Sequence, residues 1–240
     1  MPLTGVTIIG AGRLGRALAA TLTTRGVAVR GPLRRGEWQS KISADEVILL
    51  CVPDGEVAGV AREIGVDAIV GHCAGALTLA PLAPHRGFSL HPLIAITGES
   101  TRFDGASAAI AGTSEEMLAV ARGLANTLGM TPIMIADADR TLYHAAAVLA
   151  SNYLVALEET AATLGARVGL ERRHLAGLAE SALSNWARDG RASLTGPIVR
   201  GDEAVVDRQR NEIARAFPAL LPFWDALTDR TRTIAAEMRS

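Results

Sequence analysis

The chain has 240 residues and a net charge of −1, which leaves no bulk electrostatic basis for binding nucleic acid or an anionic membrane. Hydrophobic residues make up 49% and charged residues 20%, with a mean hydropathy of +0.23, so the chain can bury a large core and is not disordered. At roughly 100–200 residues per domain it forms one large domain or two small ones.

The longest nearly apolar run, residues 145–157, is broken by Ser151 and Asn152 and falls short of the ~18 residues a membrane span needs. No basic segment precedes the first apolar run, so no cleaved leader is expected. Cys51 and Cys73 are too few for a disulfide framework or a four-thiolate zinc site. Buried reduced thiols and a cytoplasmic location are expected. Lys41 is the single lysine, so chemistry that needs an amine in the second half of the chain is excluded.

In chain order, residues 6–9 read as a strand, followed by a glycine cluster and a helix over 16–25 closed by Gly26. Residues 27–30 form a second strand. The apolar run 46–52, stopped by Pro53, reads as a strand buried on both faces. A helix over 55–64 ends at Gly65. Residues 68–71, 87–90 and 106–111 are further strands. Ser114 caps a helix that runs to Leu128 and stops at Gly129, and residues 131–135 complete the series. Strands alternating with helices predict a parallel α/β sheet.

Near residue 136 the texture changes. Helical runs over 139–164, 171–188, 202–216 and 219–238 follow, interrupted by Gly190 and a loop over 194–201. The expected organisation is α/β plus α: a dinucleotide-binding Rossmann domain over 1–136 and an all-α domain over 137–240.

Gly10, Gly12 and Gly15 form GxGxxG after a strand and at the start of a helix. The first glycine permits the tight turn, the second lets backbone approach a pyrophosphate, and the third lets helix and strand pack closely. The helix N-terminus offers free N–H groups to the phosphates. Arg13 and Leu14 complete the loop, and Arg13 could flank a ribose phosphate. An NAD site places a carboxylate about 20 residues on. Here stand Arg30, Arg34 and Arg35, with no acid before Glu37. Guanidinium groups suit a 2′-phosphate, which favours NADP over NAD. The alternative is a solvated basic loop. Val52 and Pro53 end a strand where ligands of open sheets lie. Asp54 either borders the cofactor or caps the next helix.

Several segments together resemble a known family. They are GAGRLG at 10–15, VPD at 52–54, HCAGAL at 72–77, SLHPL at 89–93, YHAAA at 143–147 with SN at 151–152, and LTGPI at 194–198 with RGD at 200–202. Their order and spacing resemble Rossmann-like proteins carrying a DUF2520 C-terminal domain. These are relatives of 6-phosphogluconate dehydrogenase, ketopantoate reductase and pyrroline-5-carboxylate reductase. The resemblance implies an N-terminal NADP domain, a helical C-terminal domain and an active site in the cleft between them. It names no substrate. This chain departs from the pattern at Cys73 and Ala74, where Thr-Ser is expected. Arg140 replaces a common lysine, and Arg208 and Gln209 replace a usual histidine.

Reducing a C=O or C=N requires a proton donor and groups that fix the substrate. On a continuous helix, Arg140, His144 and Ser151 fall within roughly 40° of one face, with Asn152 about 80° from His144. Histidine is the side chain that titrates near neutrality, which makes His144 the leading donor. Tyr143 and His91 are alternatives, with His91 expected in an extended loop before Pro92. A buried hydrogen-bonded network without catalysis is the competing reading. Asn152, Asn185, Thr195, Arg200 and Asp202 are the candidate substrate contacts. Arg200 could instead pair with Asp202 or Glu203, and Asp202 could cap a helix. His72 reads as structural, and His85 and His174 as surface residues. No metal-ligand spacing and no hydrolase signature are present.

The sequence therefore predicts an NADP-dependent oxidoreductase acting on a small molecule. A non-catalytic NADP-binding protein is the alternative. Residues 219–238 carry apolar side chains on more than one helical face, which predicts a homodimer built from the helical domain.

Overall fold

The computed structural model describes residues 5–38, 47–65 and 68–239. Lys41 and Glu46, the first residue of the third expected strand, lie outside them. The chain divides into two compact units, Met1–Leu154 and Val155–Ser240. Among the described residues no helix is long and apolar enough to cross a membrane.

The first unit is built on a seven-stranded sheet. Its strands are β1 (Gly5–Ile9), β2 (Ala28–Leu33), β3 (Val47–Leu50), β4 (Ile69–His72), β5 (Arg86–Leu93), β6 (Ser107–Gly112) and β7 (Thr131–Met134). They lie in the order β2-β1-β3-β4-β5-β6-β7. Every neighbouring pair is parallel except β5 and β6, which run antiparallel from Phe88 opposite Gly112 to Leu93 opposite Ser107. The purely parallel sheet expected from the sequence is thus a mixed one. Residues 94–106 contain no helix, so the chain lacks the crossover a parallel return needs and turns back beside β5.

Successive β-strand side chains point to opposite faces, and the core follows that alternation. Val6, Ile8 and Leu49 pack on one face with Leu18 and Leu22 of helix α1 (Arg13–Thr24) and Leu124 of helix α3 (Glu115–Thr127). Ile9, Ile48 and Leu50 face the other way, onto Val57 and Val60 of helix α2 (Val57–Arg62). Leu18 and Leu22 sit one turn apart and are fully buried, each contributing about 1.5–3 kcal/mol. Ser114 caps α3 as expected, its hydroxyl accepting from Met117 N–H.

The expected long helix over 139–164 is three segments: α4 (Arg140–Val148), a π-helical turn over Leu149–Tyr153, and α5 (Leu154–Ala166). The π turn inserts an extra residue per turn, so a constant 100° step stops describing side-chain positions beyond Val148. In the second unit follow α6 (Arg172–Asp189), a short α7 (Pro197–Arg200) inside the expected loop, α8 (Glu203–Ala216) and α9 (Leu221–Glu237). Val206, Ile213 and Ala235 are its buried hydrophobic side chains among the described residues. Arg210 holds Asp225 through two bonds of 2.8 Å, joining α8 to α9. No residue of α6 is buried, and its Leu178, Leu183 and Trp186 are largely exposed.

Candidate active site

The glycine loop joins β1 to α1. Gly10 has φ +116°, and a Cβ there would lie 2.3 Å from the Cys51 carbonyl oxygen. A Cβ on Gly15 would lie 1.9 Å from the Gly10 carbonyl oxygen, so helix and loop meet this closely only because position 15 is glycine. At Gly12 a Cβ would meet nothing within 4 Å, which leaves open space over the loop. No side chain caps the start of α1, so its first N–H groups are left for a ligand.

Gly10, Ala11, Gly12, Val52 and Pro53 border a cavity of about 270 Å³, together with Leu33, Arg34, Arg35, Trp38, Cys51 and Glu56. The Trp38 indole N–H is buried here, with no hydrogen-bond partner among the described residues. These features fit a dinucleotide: a backbone cradle, open volume above it and an unmet donor in the wall. Gly10 N–H donates to the Leu33 carbonyl at 2.9 Å, which places Arg34 next to the loop. Arg35 pairs with Glu56 at 2.8 Å. The Glu37 carboxylate folds back to accept from Arg34 N–H at 2.8 Å. Arg30 is different. It pairs with Thr7 inside β2, and a bulge follows before Leu33 pairs with Ile9, so Arg30 lies short of the cavity. Arg13 opens α1 on the exposed side, and Leu14 turns its side chain to the core. Asp54 lies within a 3₁₀ turn, Asp54–Glu56, whose cap position is Pro53, so Asp54 is not the cap expected.

A second cavity, of about 570 Å³, is lined by His91 to Ala95, Tyr143, His144, Ala146 to Val148, Ala150, Ser151 and Asn152. The sequence-predicted His91, Tyr143, His144 and Asn152 are thus brought together. His91 lies in β5, not in a loop. Beyond Ser89 the β4 pairing ends while β6 pairing continues, so Pro92 sits where one strand edge needs no N–H. His91 Nδ1 lies 2.7 Å from the Tyr143 hydroxyl, and the His91 and His144 rings meet edge-on at 5.9 Å. Gly75, just after β4, packs on both imidazoles: a Cβ there would lie 2.5 Å from His144 Cδ2 and 2.9 Å from His91 Nε2. Gly75 was not singled out from the sequence, although a glycine just past a strand end is the available signal.

Burial pushes His91 down to about 4, reinforced by the charges of His144, Arg140 and His72. Burial raises the Tyr143 phenol. Arg140 is fully buried at the start of α4. It donates to the Ser89 hydroxyl, and its Nε lies 3.4 Å from Asp137 Oδ1. Burial lowers its pKa, while Asp137 acts in the opposite direction. Asp137 also accepts from Leu79 N–H at 3.0 Å, tying α4 to the chain after β4.

His72 is buried and structural in its contacts, Nε2 lying 3.0 Å from the Thr78 carbonyl oxygen. Burial lowers its pKa as well. His85 corrects the expectation of a surface residue. It is buried against α2, with Nε2 2.8 Å from the Ala61 carbonyl oxygen, because the 3₁₀ turn Ala80–Leu82 folds it inward beside its exposed neighbour Arg86. His174 is exposed and accepts from Glu171 N–H.

Asn185, Thr195, Arg200 and Asp202 belong to the second unit. Asn185 accepts from Arg188 at 3.1 Å. Thr195 and Arg200 are exposed. Glu203 is held by Arg232 at 2.6 Å, and Arg200 forms no ion pair among the described residues, so the pairing with Asp202 or Glu203 is not made. Asp202 occupies the cap position of α8 without a side-chain capping bond.

A domain of unknown function, DUF2520, matches residues 106–231. The chain belongs to the DUF2520 family. Among solved structures, this DUF2520 protein is similar to TM1727 of Thermotoga maritima at 24% identity, covering 98% of this chain and 100% of that one, with a TM-score of 0.79. It is also similar to BF3122 of Bacteroides fragilis, a candidate NADP oxidoreductase, at 19% identity, 96% and 98% coverage and a TM-score of 0.79. Pyrroline carboxylate reductase of Plasmodium falciparum, solved with NADP bound, is similar at 13% identity, 98% and 99% coverage and a TM-score of 0.63. Such likenesses show the fold, which is that of Rossmann-type reductases. No curated protein matches the chain in sequence.

Proposed function

We propose that this DUF2520 protein is an NADP-dependent oxidoreductase that moves a hydride to or from the carbon of a small C=O or C=N substrate. One observation carries the reading. His91, Tyr143 and His144 converge on a cavity in the same unit as a glycine loop built for a pyrophosphate. The fold likeness to a reductase solved with NADP supports it.

When bound, the nicotinamide cofactor supplies or takes the hydride. In this reading the N–H groups at the start of α1 hold the pyrophosphate, while Arg34 and Arg35 hold the 2′-phosphate. Val52 and Pro53 line the cofactor wall. In the same reading the Tyr143 hydroxyl donates a hydrogen bond to His91 Nδ1, and His91, neutral at pH 7, fixes the phenol. His144, across the ring contact and in the cavity wall, delivers the proton to the substrate heteroatom. Asn152 and Ser151, in the π turn and in the cavity wall, hold the substrate's polar group, and the alanines at 146 and 147 leave room beside it.

The alternative, NADP binding without turnover, draws on the absence of lysine after Lys41 and the burial of Arg140. Titration with NADPH followed by NADPH oxidation over a panel of small oxo-acids and cyclic imines separates the two. Binding with turnover is the expected result. Binding with no turnover on the whole panel favours the alternative, and no binding of NADPH overturns both.

A further inference from the structure

The two cysteines stand on neighbouring parallel strand ends. Leu50 pairs with His72, and Cys73 N–H donates to the Leu50 carbonyl at 3.1 Å, so Cys51 and Cys73 are opposed one step further on. Adjacent strands lie about 4.7–4.9 Å apart, inside the roughly 4.4–6.8 Å between Cα atoms that a disulfide spans. Their Sγ atoms are already 3.8 Å apart. Cys51 is part-exposed and borders the cavity over the glycine loop, whereas Cys73 is buried. They are the only cysteines in the chain, and Cys73 stands where the family resemblance calls for another residue.

We propose that Cys51 and Cys73 form an oxidisable pair that closes to a disulfide under peroxide and thereby weakens dinucleotide binding at the adjoining loop. The reaction balances as follows. The Cys51 sulfur attacks one peroxide oxygen; the S–O bond forms, the O–O bond breaks, and the departing oxygen leaves as water. The Cys73 sulfur then attacks Cys51 Sγ; the S–S bond forms, the S–O bond breaks, and a second water leaves. Two thiols lose two protons and two electrons, and hydrogen peroxide takes up both to become two waters. Cys51, part-exposed at the cavity, is the thiol peroxide reaches first, and the buried Cys73 beside it is the one placed to close the bond.

The effect on binding comes from packing. Cys51 lies beside the loop: a Cβ added at Gly15 would lie 3.3 Å from Cys51 Cβ, and one added at Gly10 would lie 2.3 Å from the Cys51 carbonyl oxygen. Drawing the two sulfurs from 3.8 Å to bonding distance, about 2.05 Å, moves Cys51 within that contact and disturbs the cradle.

The test uses the whole chain exposed to hydrogen peroxide, quenched in acid, denatured and alkylated, then weighed intact. The expected result is paired loss of both thiols, a mass lower by two hydrogens, a Cys51–Cys73 cross-link in the digest of the monomer, and reversal by dithiothreitol. Oxygen added to Cys51 without a cross-link overturns the proposal, as does retention of both thiols while glutathione in the same tube is consumed. In NADPH titration the oxidised chain is expected to bind about tenfold or more weakly than the reduced one, the size of one lost phosphate-loop hydrogen bond. Equal affinity overturns the effect on binding. That second part rests on the proposed function. A cross-link that forms in a chain unable to bind NADPH in either state overturns the proposed function and the effect on binding, and leaves the thiol pair standing. Cys51→Ser and Cys73→Ser must each abolish the cross-link, while the wild-type mass does not depend on how either variant folds.

Discussion

His91 offers a test that needs no substrate. Its pKa is lowered from 6.5 to about 4, chiefly by burial, with the charges of His144, Arg140 and His72 acting the same way. The unfolded chain therefore takes up a proton near pH 6.5 that the folded chain resists until about pH 4. Stability is fully present above pH 6.5 and is lost as pH falls between these values, because the unfolded state binds more protons there. At about 1.36 kcal/mol per pH unit the loss reaches roughly 3 kcal/mol below pH 4, a large part of a typical 5–15 kcal/mol. Urea unfolding of the wild type and of His91→Gln from pH 8 to pH 4 measures it. Subtracting the two cancels the carboxylates and most of the His72 contribution. The wild type is expected to lose roughly 3 kcal/mol more than His91→Gln over this range. Parallel pH profiles, or an NMR titration that places the folded His91 near its ordinary value, would refute the argument.

Three other outcomes are expected. NADPH binds more tightly than NADH, and Arg34→Ala or Arg35→Ala narrows the gap by about tenfold each, while Glu56→Gln frees Arg35 and widens it; isothermal titration measures all four proteins. His144→Gln keeps NADPH affinity and melting temperature and lowers turnover by roughly 10²–10⁴, whereas a lower melting temperature with turnover intact assigns His144 to a structural network. Light scattering gives twice the 25.1 kDa chain mass, and Trp186→Glu on α6 returns the monomer, since Leu178, Leu183 and Trp186 are more exposed than Phe223 and Leu227 of α9.

The dinucleotide half was legible because each glycine answers to a local backbone demand. Gly10 and Gly15 are fixed by contacts within the loop and its neighbouring strand end, at short sequence range. The inner strands were legible as buried apolar runs, as at Val47–Leu50, but their directions were not. Nothing in residues 106–111 alone distinguishes an antiparallel β6 from a parallel one; the helix-free link before it decides. The cluster of His91, Tyr143 and His144 was readable as residue types and came together through a contact 52 residues apart, which no local pattern encodes. The helical wheel assumes a 3.6-residue period that the π turn breaks; His144, Ser151 and Asn152 nonetheless line one cavity, while Arg140, grouped with them, does not. Arg30 was misplaced for a similar reason: the bulge after it shifts the strand end to Leu33.

Arg140 shows how a departure from a family pattern changes the chemistry open to a site. A buried lysine can give up its proton near neutrality; a guanidinium retains its charge there. Here that charge is enclosed at the start of α4, balanced by Asp137 and bonded to Ser89, and none of it faces the cavity. Its effect on the site is therefore electrostatic. It adds to the burial that keeps His91 neutral. A neutral imidazole in hydrogen-bond range of a phenol is an acceptor for it and a poor acid toward substrate. In the proposed mechanism this divides the labour: His91 holds Tyr143 in place, and the proton comes from His144, whose ring borders the open volume. In that mechanism the lysine missing from α4 does not leave the cavity without a donor, because His144, one helical turn along from Arg140, stands in the cavity wall.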